Sequence, residues 1–512
     1  VMWIVYLLLG LALLLGVAII IIVICYKRNY WSFLDVPHEK QKSILEIFRE
    51  MRGEQPTKME LEYINELYKR FKGTGPFCGF YQLLRPTVLV LERELCKQIL
   101  INDFANFNDR GHYYNKKQDP LAAHLYNRRG QSWQEMRPRV ESLLSKNSLK
   151  YIFEGLEREC QNLLNCFELA CDDSDALLQV LKVQTLISRY VSDTLATCVF
   201  GLSATDIKFS LSEFYDMVQE ALQAPLRHGR FVQGLLYRYP AIGKKLGLAI
   251  TAPKVHAYFM GLITDVVSQR ELSKQRFDDY MQLLINMKQD QFRINEPDDK
   301  VDGCAKLKQR LLNELAAHAF GFLQIGFEAT AKTLSYALLE LSLQQELQQR
   351  VRQEVLEAKQ RHGNRLDYEC VMELELLGQV LQETVRHHPI TPYLTRKTLH
   401  DYRVSSNSKY LLMKNMSIII PLHAMHNDPD YFPEPHLFRP ERFSTQSMQS
   451  RAPCTWLGFG EGPRNCVAQR FAQIQMRLTL ALLLQSYEFS VDLARPMPSW
   501  AGGIELFVQR IK

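Results

Sequence analysis

The sequence predicts an α+β protein in which helix dominates and short strands come from both ends of the chain. Three observations carry that reading. No proline occurs between Pro297 and Pro389, and inside that stretch Leu311–Arg350 keeps helical periodicity for longer than an ordinary globular helix. The runs rich in β-branched and aromatic residues are short and lie towards the ends, at Phe77–Leu91, Val404–Pro421 and Gly503–Val508. The chain also opens on Val1–Tyr26, which carries no charge, and about 20 apolar helical residues suffice to cross a bilayer.

Taken in order, residues 1–26 read as a transmembrane signal anchor. Lys27 and Arg28 follow at once with no charge before them, so the positive-inside bias places the rest of the chain in the cytosol. The apolar run is longer than a cleaved signal and lacks both a basic lead and a small-residue cleavage site. Residues 27–75, punctuated by Pro37 and Pro56, read as a linker with an N-terminal helical region. Phe77–Leu91, around Arg85-Pro86, reads as a hairpin. From about residue 92 to 300 the pattern is mainly helical, broken at Pro120, Pro225, Pro240 and Pro253. The long proline-free helical stretch comes next, then short strands after Pro389 and an irregular Pro-rich run at Asp428–Phe443. No Gly/Ser- or Pro-rich linker divides 76–512, which is read as one domain.

Composition excludes several classes. At 512 residues and 46% apolar content, the chain can bury a large core. Its formal charge of +6 is spread over 62 basic and 56 acidic residues without a block of five like charges, which gives no case for nucleic-acid binding. A basic patch for an acidic partner or an anionic membrane surface stays open. Eleven cysteines at irregular spacing, with no C-x-x-C pair, argue against a disulfide scaffold and for free thiols in a reducing compartment. Cys160, Cys166 and Cys171 read as helix-core thiols. His423 and His426 could share a helical face but lack a third ligand, and His387-His388 reads as a surface turn.

One cysteine has a setting of its own. In Phe459-Gly460-Glu461-Gly462-Pro463-Arg464-Asn465-Cys466, two glycines and a proline force an irregular backbone just before the helical run Gln469–Leu484. Backbone N–H groups and a helix N-terminus beside the sulfur favour an anion there, which suits a thiolate. Arg464, two residues earlier, could reach an anionic group of a bound cofactor.

This segment, F-x-x-G-x-R-x-C, resembles the haem-binding loop of the cytochrome P-450 family. Two further motifs stand before it in the family's order, Glu383-Thr384-Val385-Arg386 and Pro440-Glu441-Arg442-Phe443. The resemblance runs from about Pro37 to the C-terminus. It is closest to insect microsomal members, through Val36-Pro37-His38-Glu39-Lys40 and Asp119-Pro120-Leu121. It implies haem b, with Cys466 as ligand to the iron and Phe459, Gly460 and Arg464 in the loop around it. It also implies a family fold in which a long central helix passes over the haem. Trp133 and Arg137, four apart on one helix face, resemble a W-x-x-x-R pair that contacts a propionate, and Arg396 stands where another propionate partner is common. Glu383, Arg386 and Arg442 are implied as a buried ion network that fixes geometry behind the cofactor.

The distal motif departs from the family. Where a pattern close to A/G-G-x-D/E-T-T is usual, the chain has Ile325-Gly326-Phe327-Glu328-Ala329-Thr330. Glu328 would belong to the proton path, Ala329 replaces the usual threonine, and Thr330 could take its place only through a local bulge or kink, since it is turned about 100° from Ala329. Gly458 stands where proline is common, and Ala468 where glycine is.

The resemblance implies an endoplasmic-reticulum monooxygenase, facing the cytosol, that uses O2 and oxidises a lipophilic small molecule of xenobiotic, hormone or lipid metabolism. Electrons would come from NADPH through a separate cytochrome P-450 reductase, with cytochrome b5 as an additional donor, because no nucleotide-binding glycine loop is visible. Substrate contacts are expected from Tyr113–Leu125, Phe322–Ile325, Ile390–Leu394 and Ala501–Ile504. Two alternatives stand on Ile325 and Ala329: an isomerase or dehydratase of peroxides, and a haem protein that sequesters hydrophobic ligands without turnover.

Overall fold

The structure is a computed structural model that describes residues 29–41, 56–82, 85–172, 179–202, 211–223, 239–273, 277–294, 301–404, 410–492 and 497–511, with a few isolated positions elsewhere. The expected anchor at 1–26 lies almost wholly outside them. Among the described residues no helix is long and apolar enough to cross a membrane.

Seven helices position the site: α1 (Gly130–Leu143), α2 (Lys146–Asp172), α3 (Val183–Cys198), α4 (Val301–Leu343), α5 (Gln345–Arg361), α6 (Glu375–His387) and α7 (Gln469–Ser486). Helix α4 is the central element, packed between Ala316 and Leu341 against α3, α6, α7 and the helix Pro253–Leu272. The strands are β1 (Phe77–Gln82), β2 (Arg85–Val90), β3 (Gln179–Leu181), β4 (Leu394–Lys397), β5 (Tyr402–Arg403), β6 (Leu411–Leu412), β7 (Ser417–Ile420), β8 (Tyr487–Ser490) and β9 (Leu506–Arg510). They form sheets ordered β1-β2-β7-β4, β3-β9-β8 and β5-β6. The hairpin expected at 77–91 is β1–β2, paired from Phe77↔Val90 to Gln82↔Arg85. Parallel pairing of β2 with β7 then joins the N-terminal hairpin to a strand more than 300 residues later.

Among the described residues two hydrophobic cores result. The larger fills the helical body around α3, α4 and α7, and the smaller lies between the first sheet, the helix Pro56–Phe71 and the turn at Trp31. Trp31 donates through Nε1 to the Phe80 carbonyl at 3.0 Å, and the chain at His38 bridges to Gly79. The described part of the connector is therefore packed against the sheet.

Four expectations are corrected. The helix expected at Leu311–Arg350 is two helices: α4 starts earlier, at Val301, and the chain leaves helical geometry at Gln344 (φ −122°, ψ 79°) before α5. The break is held by distant backbone. Gln344 Nε2 donates to the Phe438 carbonyl, Gln345 and Gln348 Nε2 to that of Phe489, and Gln348 Oε1 accepts from the Phe489 N–H. The last strand starts at Leu506 rather than Gly503. Cys166 is exposed, because six residues turn a helix through about 240° from buried Cys160. His387 and His388 end α6 against α4, stacked and hydrogen-bonded, rather than forming a surface turn.

Candidate active site

The segment Leu457–Ala468 lies on the seam of the two cores. Cys454 and Leu457 belong to the smaller one, while Phe459, Val467 and Ala468 pack on the larger. Gly460 and Gly462 both have left-handed φ, +72° and +70°. A Cβ at Gly462 would collide with the Leu100 carbonyl, so this position needs glycine twice over. The loop closes on itself through Gly460 N–H to the Leu457 carbonyl at 2.8 Å and Cys466 N–H to the Phe459 carbonyl at 2.7 Å. At Gly458, a Cβ would press on Trp456 and on Val385 of α6, at 2.5 and 2.7 Å, so a proline there does not fit beside this tryptophan.

Cys466 lies below the molecular surface yet keeps partial exposure. Burial pushes its thiol up, and the Ala468 N–H, Arg137 and Arg110 pull it back only in part. The loop and helix terminus thus act in the expected direction, but desolvation wins. A bound metal ion reverses that balance, because its charge takes the place of the proton on a coordinating sulfur.

Above the loop the structure concentrates positive charge. Arg396 on β4 is 2% exposed, Arg464 is 2% exposed, and Arg110 stands beside both. Burial first and Arg110 next push the guanidinium of Arg396 down to about 9 and that of Arg464 down to about 8. Arg464 donates to the carbonyls of Tyr126 and Arg128 and lies over the Trp133 ring at 4.5 Å. Arg110 donates to the carbonyls of Arg464 (3.0 Å) and Tyr126 (3.2 Å). Among the described residues, Nε of Arg396 and Nε of Arg464 are buried with no hydrogen-bond partner. Buried cations with open donors call for anions, and two carboxylates on a planar cofactor fit that need. Arg137 takes a different place, donating at 2.7 Å to both the carbonyl and the side-chain oxygen of Asn465, so it braces the cysteine loop.

Glu383, Arg386 and Arg442 come together as the motifs implied. Arg386 holds the Glu383 carboxylate with two hydrogen bonds of 2.7 and 2.8 Å, both side chains fully buried, and Arg442 Nε stands 3.4 Å from the same carboxylate. Arg386 also donates to the His426 carbonyl at 2.9 Å. The His426 ring then accepts the Leu457 N–H through Nε2 at 2.9 Å. Burial pushes that imidazole down to about 3, which keeps it a neutral acceptor. The ion network therefore reaches the cysteine loop through His426, which stands out in the sequence only for a helical face shared with His423. Arg110 lies in no motif, and only the fold brings it here.

On the other side, α4 runs as unbroken α-helix through 325–330. Thr330 is therefore not carried onto the face of Ile325 and Ala329, and it is buried at 6% exposure. Ile325 is 42% exposed and, with exposed Gln324, interrupts the buried length of the helix. Glu328 pairs with Lys332 one turn on, at 2.5 Å, and Lys332 lies 5.4 Å from the Trp500 ring. His124 lies inside Tyr113–Leu125, one of the segments expected to contact substrate. It pairs with Gln324 at 3.2 Å, and a Cβ on Gly321 would meet its ring. A cavity of about 50 Å³ opens beside it, lined by Ala122, Asn127, Phe320 and Gln324 among others. It brings together two of the expected substrate-contact segments.

Fold and site together define a protein with two buried, incompletely partnered arginines beside a cysteine loop, a setting for an anionic group. The profile of the cytochrome P450 family matches residues 48–510. The chain is 43% identical over 511 residues to "Probable cytochrome P450 317a1" of Drosophila melanogaster, covering 99% of this chain and 97% of that one. It is 32% identical to "Cytochrome P450 6a2" of the same organism (94% and 96% covered) and 34% identical to "Cytochrome P450 6A1" of Musca domestica (90% and 88%). The chain belongs to the cytochrome P450 family, and with it to the haem-dependent monooxygenases.

Proposed function

We propose that this protein is a membrane-anchored haem-thiolate monooxygenase in which Cys466 binds the iron. Electrons come from NADPH through a separate reductase, with cytochrome b5 as a second donor, and the substrate is a lipophilic small molecule. The single observation that carries this reading is the buried, incompletely partnered pair Arg396 and Arg464 above a partly open cysteine. The uncharged segment 1–26 followed by Lys27 and Arg28 supports an endoplasmic-reticulum anchor with the catalytic domain, 76–512, in the cytosol.

Bound haem supplies the one-electron and dioxygen chemistry. Cys466 contributes sulfur electron density, tempered by the Ala468 N–H. Arg396 and Arg464 hold the carboxylates, with Arg110 adding charge and Trp133 backing Arg464. Phe459 holds the Cys466 N–H through its carbonyl, and Arg137 fixes Asn465 next to it. Glu328 holds the proton supply at its carboxylate, tethered by Lys332. Ala329 offers no hydroxyl to pass that proton inward, and Thr330 is turned away. The same gap favours a second reading, rearrangement of a peroxide substrate, which needs no proton relay to dioxygen.

The test is the absorption spectrum of the reduced, carbon monoxide-bound protein. A red-shifted thiolate Soret band is expected, and Cys466→Ser should abolish it while haem stays bound. A folded, haem-loaded wild type without that band would overturn the assignment of Cys466.

A further inference from the structure

The two histidines that close α6 do not touch the active site, yet they are placed with some precision. In a continuous helix, neighbouring side chains diverge by about 100°. Here the helix ends between them: His388 leaves helical geometry (φ −120°, ψ 67°) just before Pro389, and the two rings lie nearly parallel, 4.8 Å apart at 17°. His388 also stacks on Tyr336 of α4 at 4.0 Å and 4°. One turn beyond Tyr336, Glu340 carries a carboxylate that is 7% exposed and 2.6 Å from His388 Nε2. His387 Nδ1 is buried with no hydrogen-bond partner among the described residues. One ligand atom from each of Glu340, His387 and His388 lies within 4.8 Å of the other two.

We propose that Glu340, His387 and His388 form a binding site for a divalent zinc ion at the junction of α4 and α6. Two imidazoles and one carboxylate are a donor set that zinc accepts, leaving a fourth position to water. Ligand atoms around tetrahedral zinc stand about 3.3 Å apart, so closing the site widens the 2.6 Å Glu340–His388 contact and turns the two imidazoles out of their near-parallel stack until both ring planes meet at the ion. Zinc enters between Glu340 and His388, replacing their direct hydrogen bond, and recruits the open His387 nitrogen. The consequence is mechanical. Glu340 lies on the central helix, and His387 directly follows Arg386 of the buried ion network. Tyr336, stacked on His388, accepts the Trp500 N–H at 3.2 Å in the loop before β9. A bound ion therefore clamps the central helix to the helix that supports the cysteine loop.

The experiment uses the full-length, haem-loaded protein, treated with a chelator and dialysed against zinc chloride, with zinc and iron counted per chain. One zinc per iron is expected, with micromolar or tighter affinity. His387→Ala and Glu340→Gln should each weaken it at least tenfold, while His362→Ala, in the exposed His362–Glu373 pair, should leave it unchanged. Far-UV circular dichroism and the Soret band check each variant for folding. Zinc-edge X-ray absorption on the wild type decides independently of any variant, and two imidazoles with a carboxylate at about 2.0 Å are expected. Absence of zinc from the folded wild type, equal affinity in folded variants, or a first shell without the imidazole pair would each overturn the site.

Discussion

At Ala329 a single missing hydroxyl meets a helix that cannot supply another. Helix α4 stays regular through this turn, and Thr333 Oγ1 donates back to the Ala329 carbonyl at 2.8 Å, as in an ordinary helix interior. Glu328, one residue earlier, is tied to Lys332 rather than directed inward by a neighbour. Restoring the hydroxyl with Ala329→Thr should raise the fraction of NADPH recovered as product about tenfold, a gain of about 1.4 kcal/mol in the favoured branch. Paired measurements of NADPH consumption and product, with reductase and a fluorogenic alkoxycoumarin, check this. Unchanged coupling would exclude a proton-delivery gap. At this scale the sequence was informative wherever a motif fixes spacing. Cys466, Arg464, Glu383, Arg386 and Arg442 could be picked out in one dimension, whereas Arg110, His124 and His426 lie in no such motif and acquire meaning only from neighbours far away in sequence.

Elements were legible when their pattern was local and illegible when their limits were set from outside. The hairpin β1–β2 is such a local unit, because the aromatic and β-branched residues that pair lie on either side of one short connection. The boundary between α4 and α5 is the opposite case. Helical periodicity passes through Gln344 undisturbed, and the chain turns there because three glutamines bond to the backbone of Phe438 and of Phe489. Gln348 makes two of its bonds to the Phe489 peptide unit, one as donor and one as acceptor, and is fully buried. Gln348→Ala leaves the buried Phe489 N–H without its acceptor, at a cost of about 1–3 kcal/mol, while the Phe489 carbonyl keeps Gln345. A drop of several degrees in the thermal unfolding of the haem-loaded protein is expected. Gln353→Ala, on the exposed face of α5, should have little effect.

The whole molecule carries a pH dependence that follows from its buried histidines. Burial pushes His112 and His426 down to about 3 and His124 down to about 4, well below the ordinary value of 6.5. Each group is neutral in the folded protein and takes a proton readily once unfolded, so acid favours the unfolded chain. Their contribution is fully present above about pH 6.5 and is lost as pH falls through 4 towards 3. Melting temperature should therefore decline steeply over that interval. His426→Gln, which keeps an acceptor for Leu457 N–H and removes one titrating group, should make the decline shallower. An equal slope in the variant would show that His426 does not carry its share. By itself the sequence determined the family, the cysteine loop, the ion-pair motifs and the predominance of helix, because each is written in short-range spacing or periodicity. The tertiary structure alone decided which cations crowd above Cys466, which histidine ties the network to its loop, where the central helix stops and how His387 and His388 meet Glu340. Those outcomes depend on burial and on contacts between segments hundreds of residues apart, and neither quantity is encoded in any local stretch of chain.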